Sequence, residues 1–491
     1  MEDIPEEDLR QYCKEDVEAT FIVYKSQSNI DPHLTANHTL PLAAMELKGL
    51  LLDAPRTTTL IKSLVRDESA YDNNLWITTS ERLEWDDGIS LSYGDVKLNA
   101  PRTISYILTG EPCTGIKKTS TAKRAIVFQR GWAPYLGSTQ IKDIWGTTKP
   151  THLGYPMPAD KLIKVGDRYH NKYVGTVLDY RSVQKLMGTY IGPFLEVGAI
   201  QGTIHPKMNM VRTITGRLSS SAPNGQNMPP EARNCFISEH GQFHEIDFKQ
   251  LEIVSLAAIS QDPTLIKDLK NGEDIHYNTG KRVFKWKTPA DMTDADRKIV
   301  KIVNFGLIYG GGAASLAQQT GQEKKLIQRL TSAFFDRYPG VKKWQEDFYT
   351  EVTNKLVPAG IMMGEQVYES IVTLPISGRR FYFREKESPI WLRKKTGRKF
   401  SFKPTETKNY PVQGFAGGDI VMEALSLLYE DLSILETTDI RMTVHDSILV
   451  DSYMSASELE KYMRAVCDVI EIRYNLSFTL DFDIKSGSHW K

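Results

Sequence analysis

The sequence predicts an α+β chain of two to four subdomains, and three segments carry that prediction. Residues 243–259 read as a strand running into a helix, residues 293–312 as an amphipathic helix, and residues 440–451 as two alternating strands joined at His445-Asp446. At 491 residues the chain exceeds what one hydrophobic core usually organises.

In the first segment, FHEIDFKQLEIVSLAAI, β-forming residues give way to a run with small and apolar side chains on one side. Asp247 falls at the junction. A carboxylate there is fixed by a sheet yet open beyond it, a suitable mount for a metal ligand; a simple helix cap is the bland alternative.

The second segment, TDADRKIVKIVNFGLIYGGG, carries both helix-end signals: Thr293 with Asp296 resembles a capping box, and Gly310, Gly311 and Gly312 supply the stop. Arg297, Lys301, Phe305 and Tyr309 recur every four residues and share one face. Its cations lie nearer the helix start, where the dipole also favours anions. A triphosphate could lie along the cations while its base meets the rings.

The third segment, IRMTVHDSILVD, has apolar alternation on either side of His445-Asp446-Ser447 and predicts a β-hairpin with the acid at its tip.

Bulk properties narrow the class. Residues are 41% hydrophobic and 25% charged, with no apolar run near the roughly 20 residues a bilayer span needs. The acidic start, MEDIPEEDLR, is not a secretory signal, so an intracellular protein is expected. Cys13, Cys113, Cys235 and Cys467 form no C-x-x-C and are expected to be reduced and structural. Net charge is zero, with 61 basic and 61 acidic residues, so a nucleic-acid surface would have to be local. Residues 377–408 hold eleven Lys or Arg against three Glu, with Phe381, Tyr382, Phe383, Trp391, Phe400 and Phe402 among them. That mixture suits phosphate neutralisation and base stacking, and a solvated hairpin with a basic face fits it equally.

The joint pattern Arg-x-x-x-Lys-x-x-Asn-Phe-Gly-x-x-Tyr-Gly fixes seven positions. At about one in twenty each it arises by chance on the order of 10⁻⁹ per start point. Here the chain resembles the family A DNA polymerases, whose motif B has this form. Asp-Phe-Lys-Gln-Leu-Glu at 247–252 is similar to motif A, and His445-Asp446-Ser447 to motif C, where most members have Glu in place of Ser447. Other segments follow in family order: Thr215-Gly216-Arg217-Leu218-Ser219-Ser220 with Pro223-Asn224 and Gln226-Asn227, then Asp274-Ile275-His276, then Asn409-Tyr410-Pro411-Val412-Gln413-Gly414. Tyr180-Arg181-Ser182-Val183-Gln184-Lys185, and Gly487 with Trp490, also match. The resemblance runs over about residues 40–491, poorly across 115–177.

It implies a right-hand polymerase fold, with a palm built on an antiparallel sheet, helical fingers and a helical thumb. The expected division is thumb and preceding helices over 29–195, palm over 196–260 and 409–491, and fingers with the basic-aromatic insertion over 261–408. It implies template-directed DNA synthesis, in DNA replication, on a primer-template with deoxynucleoside triphosphates, by a monomer. Two Mg²⁺ ions, or Mn²⁺ in their place, would be held by Asp247, Asp446 and the Phe248 carbonyl. Nucleotide contacts fall to Arg297, Lys301, Phe305, Tyr309, His276, Glu252 and Gln250. Lys301 is also the expected acid toward pyrophosphate, and Glu252 part of the gate against a ribose 2′-hydroxyl. DNA contacts fall to Arg217, Asn409, Gln413, His445, Asn227, Tyr180 and Arg181. Phe305, where Tyr also occurs in the family, implies discrimination against dideoxynucleotides. A single-subunit RNA polymerase, whose motif C often reads His-Asp-Ser, is the nearest alternative; a catalytically dead primer-template binder is another.

Tyr12-Cys13-Lys14-Glu15-Asp16 resembles the Tyr-x-x-x-Asp motif of a 3′ to 5′ exonuclease, but no Asp-x-Glu precedes it. Residues 1–28 are therefore expected to be a remnant of that domain, without proofreading. The sequence names neither a processivity factor nor a separate exonuclease.

Overall fold

The structure is a computed structural model that describes residues 32–85, 90, 93, 100–110, 126–130, 132–147, 155–210, 212–362, 365–397, 399–400, 402, 404–432 and 437–491. The exonuclease-like segment at 12–16, Cys13 and Cys113 lie outside them. The chain divides into two compact units: Met1–Leu50, His205–Asn227 and Ser238–Trp490 form one, and Leu51–Ile204, Met228–Ile237 and Lys491 the other.

The first unit is organised by a four-stranded antiparallel sheet of β1 (Gln242–Phe248), β2 (Thr438–Val444), β3 (Ser447–Ser452) and β4 (Phe482–Gly487), in the order β2-β3-β1-β4. Its alternation follows from the pleat. In β1, His244, Ile246 and Phe248 are buried on one face, while Glu245 and Asp247 share the other and are less covered. The β2–β3 hairpin turns at His445-Asp446, with His445 at φ +54°. Its base is pinned by Arg441, 2% exposed, which pairs with Asp451 at 2.9 Å and Asp439 at 3.3 Å, and also meets Glu239.

Four helices of the same unit are α1 (Leu251–Ser260), α2 (Ile275–Phe284), α3 (Asp294–Ile308) and α4 (Pro404–Gln413). α3 begins where the capping signal predicts, with Asp296 N donating to Thr293 Oγ1 at 3.1 Å. Its stop is also where the glycines fall: Tyr309 closes the helix and Gly310 has φ +75°. α4 passes into a wide π-helical turn, Gly414–Ile420, and then a helix at Val421–Leu432.

The basic-aromatic stretch departs from the nucleic-acid surface that its composition allows. Arg380–Lys386 is the edge strand of a three-stranded sheet with Glu365–Thr373 and Val357–Met362. Its RFYFREK alternates, so Phe381 and Phe383 are buried, as is Phe402, while Tyr382 and Trp391 are exposed. Rings inside a core cannot stack on bases. Several of the cations are paired as well: Arg384 with Glu369, Lys386 with Glu365, and both Arg393 and Lys399 with Glu387. The hairpin alternative describes this segment better.

The second unit is mainly helical. Ala54–Ser80 packs along Lys172–Leu186, over a core that includes Leu75, Ile104, Ile107, Leu162, Val165, Val174, Val177 and Tyr180. Among the described residues, no helix is long and apolar enough to cross a membrane. Cys235 and Cys467 are buried free thiols.

Candidate active site

The sheet brings the two separated acids together. Ser447 on β3 is the register partner of Asp247 on β1, and Phe248 N donates to the Asp446 carbonyl at 3.2 Å. Asp446 therefore sits one residue beyond the last strand pair, beside Asp247. Burial raises the pKa of both. For Asp446, Glu252 and Asp247 raise it further while Arg217 and His445 oppose them. For Asp247, Asp483 raises it and Lys485 opposes. The site thus has the electrostatic signature of carboxylates crowded into partly dry surroundings.

Arg217 answers that crowding. Its Nη2 donates to Glu252 Oε1 at 2.9 Å and to Asp446 Oδ1 at 3.4 Å. The loop that carries it is tightly seated: a Cβ on Gly417 would lie 2.7 Å from Arg217 Cγ, so only glycine leaves the side chain its path. Next to it, Arg379 lies over Gly216 and bonds Asp419 and the Gly418 carbonyl, at 2.7 and 2.8 Å. Arg217, expected as a duplex contact, bridges the acid cluster here.

Glu252, in the first turn of α1 and 8% exposed, also accepts from the Tyr309 hydroxyl at the end of α3. Burial raises the Tyr309 pKa, and Gln413 reaches the same hydroxyl. Gln250 caps α1 at φ +51° and is exposed. His445 and Asn227 are exposed. Asn409 carries a buried Oδ1 without a hydrogen-bond partner.

Along α3, Lys301 Nζ stands 5.9 Å from the Phe305 ring centre, and that ring is 5.9 Å from His276 on α2. Arg297 pairs with Asp274, the N-cap of α2. This partner was visible in the Asp274-Ile275-His276 run, but only as a motif letter. Tyr180 and Arg181 belong to the second unit, where the Tyr180 ring is in the core and Arg181 donates to the Met157 carbonyl at 2.9 Å. The duplex contact expected of Tyr180 would need a ring that is instead packed inside.

The family model for "DNA polymerase family A" matches residues 136–491. The chain belongs to that family. DNA polymerase I of Lactococcus lactis subsp. cremoris (strain MG1363) is 31% identical over 351 residues, and that of Bacillus subtilis (strain 168) 30% over 352. Each alignment covers 70% of this chain, which spans 37% of the length of these relatives. Among solved structures, the POL domain of Pol1 from M. smegmatis, in complex with DNA primer-template and dNTP, superposes with a TM-score of 0.65 at 22% identity. The superposition covers 93% of this chain and 70% of that one. The fold is accordingly the α+β polymerase fold.

Within this family A chain, Ser447 has a particular neighbour. It is 4% exposed and donates to Glu245 Oε1 at 3.1 Å, on the sheet face that also carries Asp247. A third carboxylate thus approaches this end of the sheet from β1 rather than from the hairpin. Ser447→Glu would press a new carboxylate onto Glu245, directly opposite Asp247. We expect it to lose about 1–3 kcal/mol of stability in metal-free buffer, from crowding and like charge. Glu245→Ala in the same chain should return most of the loss, read by urea unfolding of the double-mutant cycle. A Ser447→Glu protein as stable as its parent would refute this account of the pair.

Proposed function

We propose that the chain is a DNA-directed DNA polymerase, which adds deoxynucleotides to a primer 3′ end under template direction as part of DNA replication inside the cell. The observation that carries the reading is the meeting of Asp247 and Asp446 beside Arg217, Glu252 and Tyr309, with the α3 cations on a neighbouring element.

A divalent pair suits the donor set. Among the described residues, no group of three or more His, Cys, Asp or Glu is disposed around one metal position. Two carboxylates plus a backbone carbonyl is nevertheless what Mg²⁺ asks of a protein, since water and substrate phosphates complete its shell. All the donors are hard oxygens, which favours Mg²⁺ or Mn²⁺ over softer-site metals. Asp247, Asp446 and the Phe248 carbonyl would hold the ions, whose chemistry is to activate the 3′-hydroxyl and neutralise the triphosphate.

The chain's own groups do the rest. Arg297 and Lys301 hold the β and γ phosphates, with His276 beside them, and Lys301 supplies a proton to the departing pyrophosphate. Arg297 must exchange or share its Asp274 partner to do so. Glu252, held by Arg217 and Tyr309, crowds the position of a ribose 2′-hydroxyl, with Gln250 nearby on the chain. Phe305 meets the sugar and Tyr309 the base. Asn409, Gln413, His445, Asn227, Arg217 and Arg181 are proposed on the DNA side. Catalysis then rests on placement and charge, with no covalent nucleophile.

Primer extension with Mg²⁺ tests this directly. Deoxynucleotides should be incorporated on a primed DNA template and ribonucleotides poorly, with Glu252→Ala narrowing the gap by roughly tenfold or more. Unprimed synthesis from ribonucleotides, with none from deoxynucleotides, would overturn the reading in favour of an RNA polymerase.

A further inference from the structure

The packing of α3 on α2 buries two polar side chains completely, Asn304 and Thr279. Asn304, 0% exposed, sets its Nδ2 at 3.1 Å from His276 Nδ1 and at 3.1 Å from Thr279 Oγ1. Thr279 Oγ1 lies 2.9 Å from the Ile275 carbonyl, one turn back in α2.

These contacts point to a placement of the protons. Thr279 Oγ1 donates to the Ile275 carbonyl, and with its single proton so used it accepts from Asn304 Nδ2. The Asn304 amide nitrogen therefore faces both neighbours. This orientation leaves Asn304 Oδ1 buried without a partner, and reversing the amide would give Oδ1 the imidazole N–H but require Thr279 to turn its proton away from the Ile275 carbonyl. With an amide N–H aimed at it, His276 Nδ1 must be the bare ring nitrogen, and its proton resides on Nε2.

We propose that Asn304 is a positioning residue which, with Thr279, holds His276 as the Nε2–H tautomer, so that it meets the triphosphate as a neutral hydrogen-bond donor. The inference rests on the nucleotide reading of this site. Burial holds the imidazole well below its usual range, at about 4; Arg297 and Lys301 on α3 push it down as well, and Asp274 at the α2 cap opposes them. Neutrality has a consequence for selection. The donor orients a phosphate oxygen without adding a third positive charge beside Arg297 and Lys301, so discrimination stays with those cations and with the fit of the base pair.

¹⁵N-histidine NMR of the whole chain tests the tautomer without any turnover, with the His276 signals assigned by their loss in His276→Gln. The parent should show a bare Nδ1 and a protonated Nε2 from about pH 5.5 to 8. Asn304→Asp replaces the donor by an acceptor, so the proton should move to Nδ1 and the imidazole should titrate nearer neutrality. Apparent affinity for the incoming deoxynucleotide should then fall on the order of tenfold. A parent imidazole protonated on Nδ1, or cationic at neutral pH, overturns the proposal even if Asn304→Asp does not fold. A parent with the expected tautomer whose Nε2 signal ignores the next correct deoxynucleotide, added with a dideoxy-terminated primer-template and Mg²⁺, overturns the nucleotide contact instead.

Discussion

Asp446→Asn should abolish measurable primer extension while leaving the protein folded. Asparagine keeps the shape and an oxygen for Arg217, which lies 3.4 Å from Asp446 Oδ1, but it removes the charge that a divalent ion needs. Loss of several kcal/mol of transition-state charge stabilisation, at 1.36 kcal/mol per decade, corresponds to a fall on the order of 10³-fold. Stability should move the other way. Burial raises the Asp446 pKa above the ordinary carboxylate value, with Glu252 and Asp247 adding to it. A raised folded-state pKa means that the metal-free protein is relatively more stable below the unfolded value and loses that share as pH rises through the folded one. At neutral pH the ionised carboxylate is therefore a burden, and Asp446→Asn should unfold at the same urea concentration as the parent or a higher one. A variant extending primers within tenfold of the parent would remove Asp446 from the chemistry. One that loses both extension and fold would contradict the electrostatic account.

The parts legible in the sequence are those whose physics is local. The start of α3 follows from a hydroxyl three residues before an amide, and its end from glycines that tolerate positive φ. The β2–β3 hairpin follows from alternation on both sides of a two-residue turn. What was not legible is where a side chain goes once its element is placed. Arg217 and Asp446 are remote in sequence, and no pattern in either segment announces that the cation will turn toward the acid. Arg297 and Lys301 share a helix face, yet one is paired with Asp274 and the other stands near an aromatic ring. Composition does not place the basic-aromatic stretch, whereas its alternation does: in RFYFREK the aromatic at every second position faces inward. Counting rings without their parity cannot separate a stacking surface from a strand. The π-helical turn at Gly414–Ile420 has no sequence signal of comparable strength.

Arg441→Leu should be the most destabilising substitution in the sheet, by about 3–5 kcal/mol. Arg441 and Asp451 are 2% and 1% exposed, and their ion pair is joined by Asp439 and Glu239, by Ser238 on Asp451, and by the Glu239 and His240 amides on Asp451 at 3.0 and 3.1 Å. Removing only the cation leaves Asp451 as a buried charge among other acids, and that uncompensated charge, rather than the loss of attraction, sets the cost. A double substitution, Arg441→Leu with Asp451→Asn, should therefore be less harmful than the single change, since it removes the orphaned carboxylate too. The network ties β2 and β3 to the loop before β1, so weakening it loosens the frame that holds Asp247 against Asp446. The single variant should consequently lose extension activity at temperatures where its helices persist by circular dichroism. If urea unfolding places Arg441→Leu within about 1 kcal/mol of the parent, the cluster is decoration and the sheet's register is held by its ladder and apolar face alone.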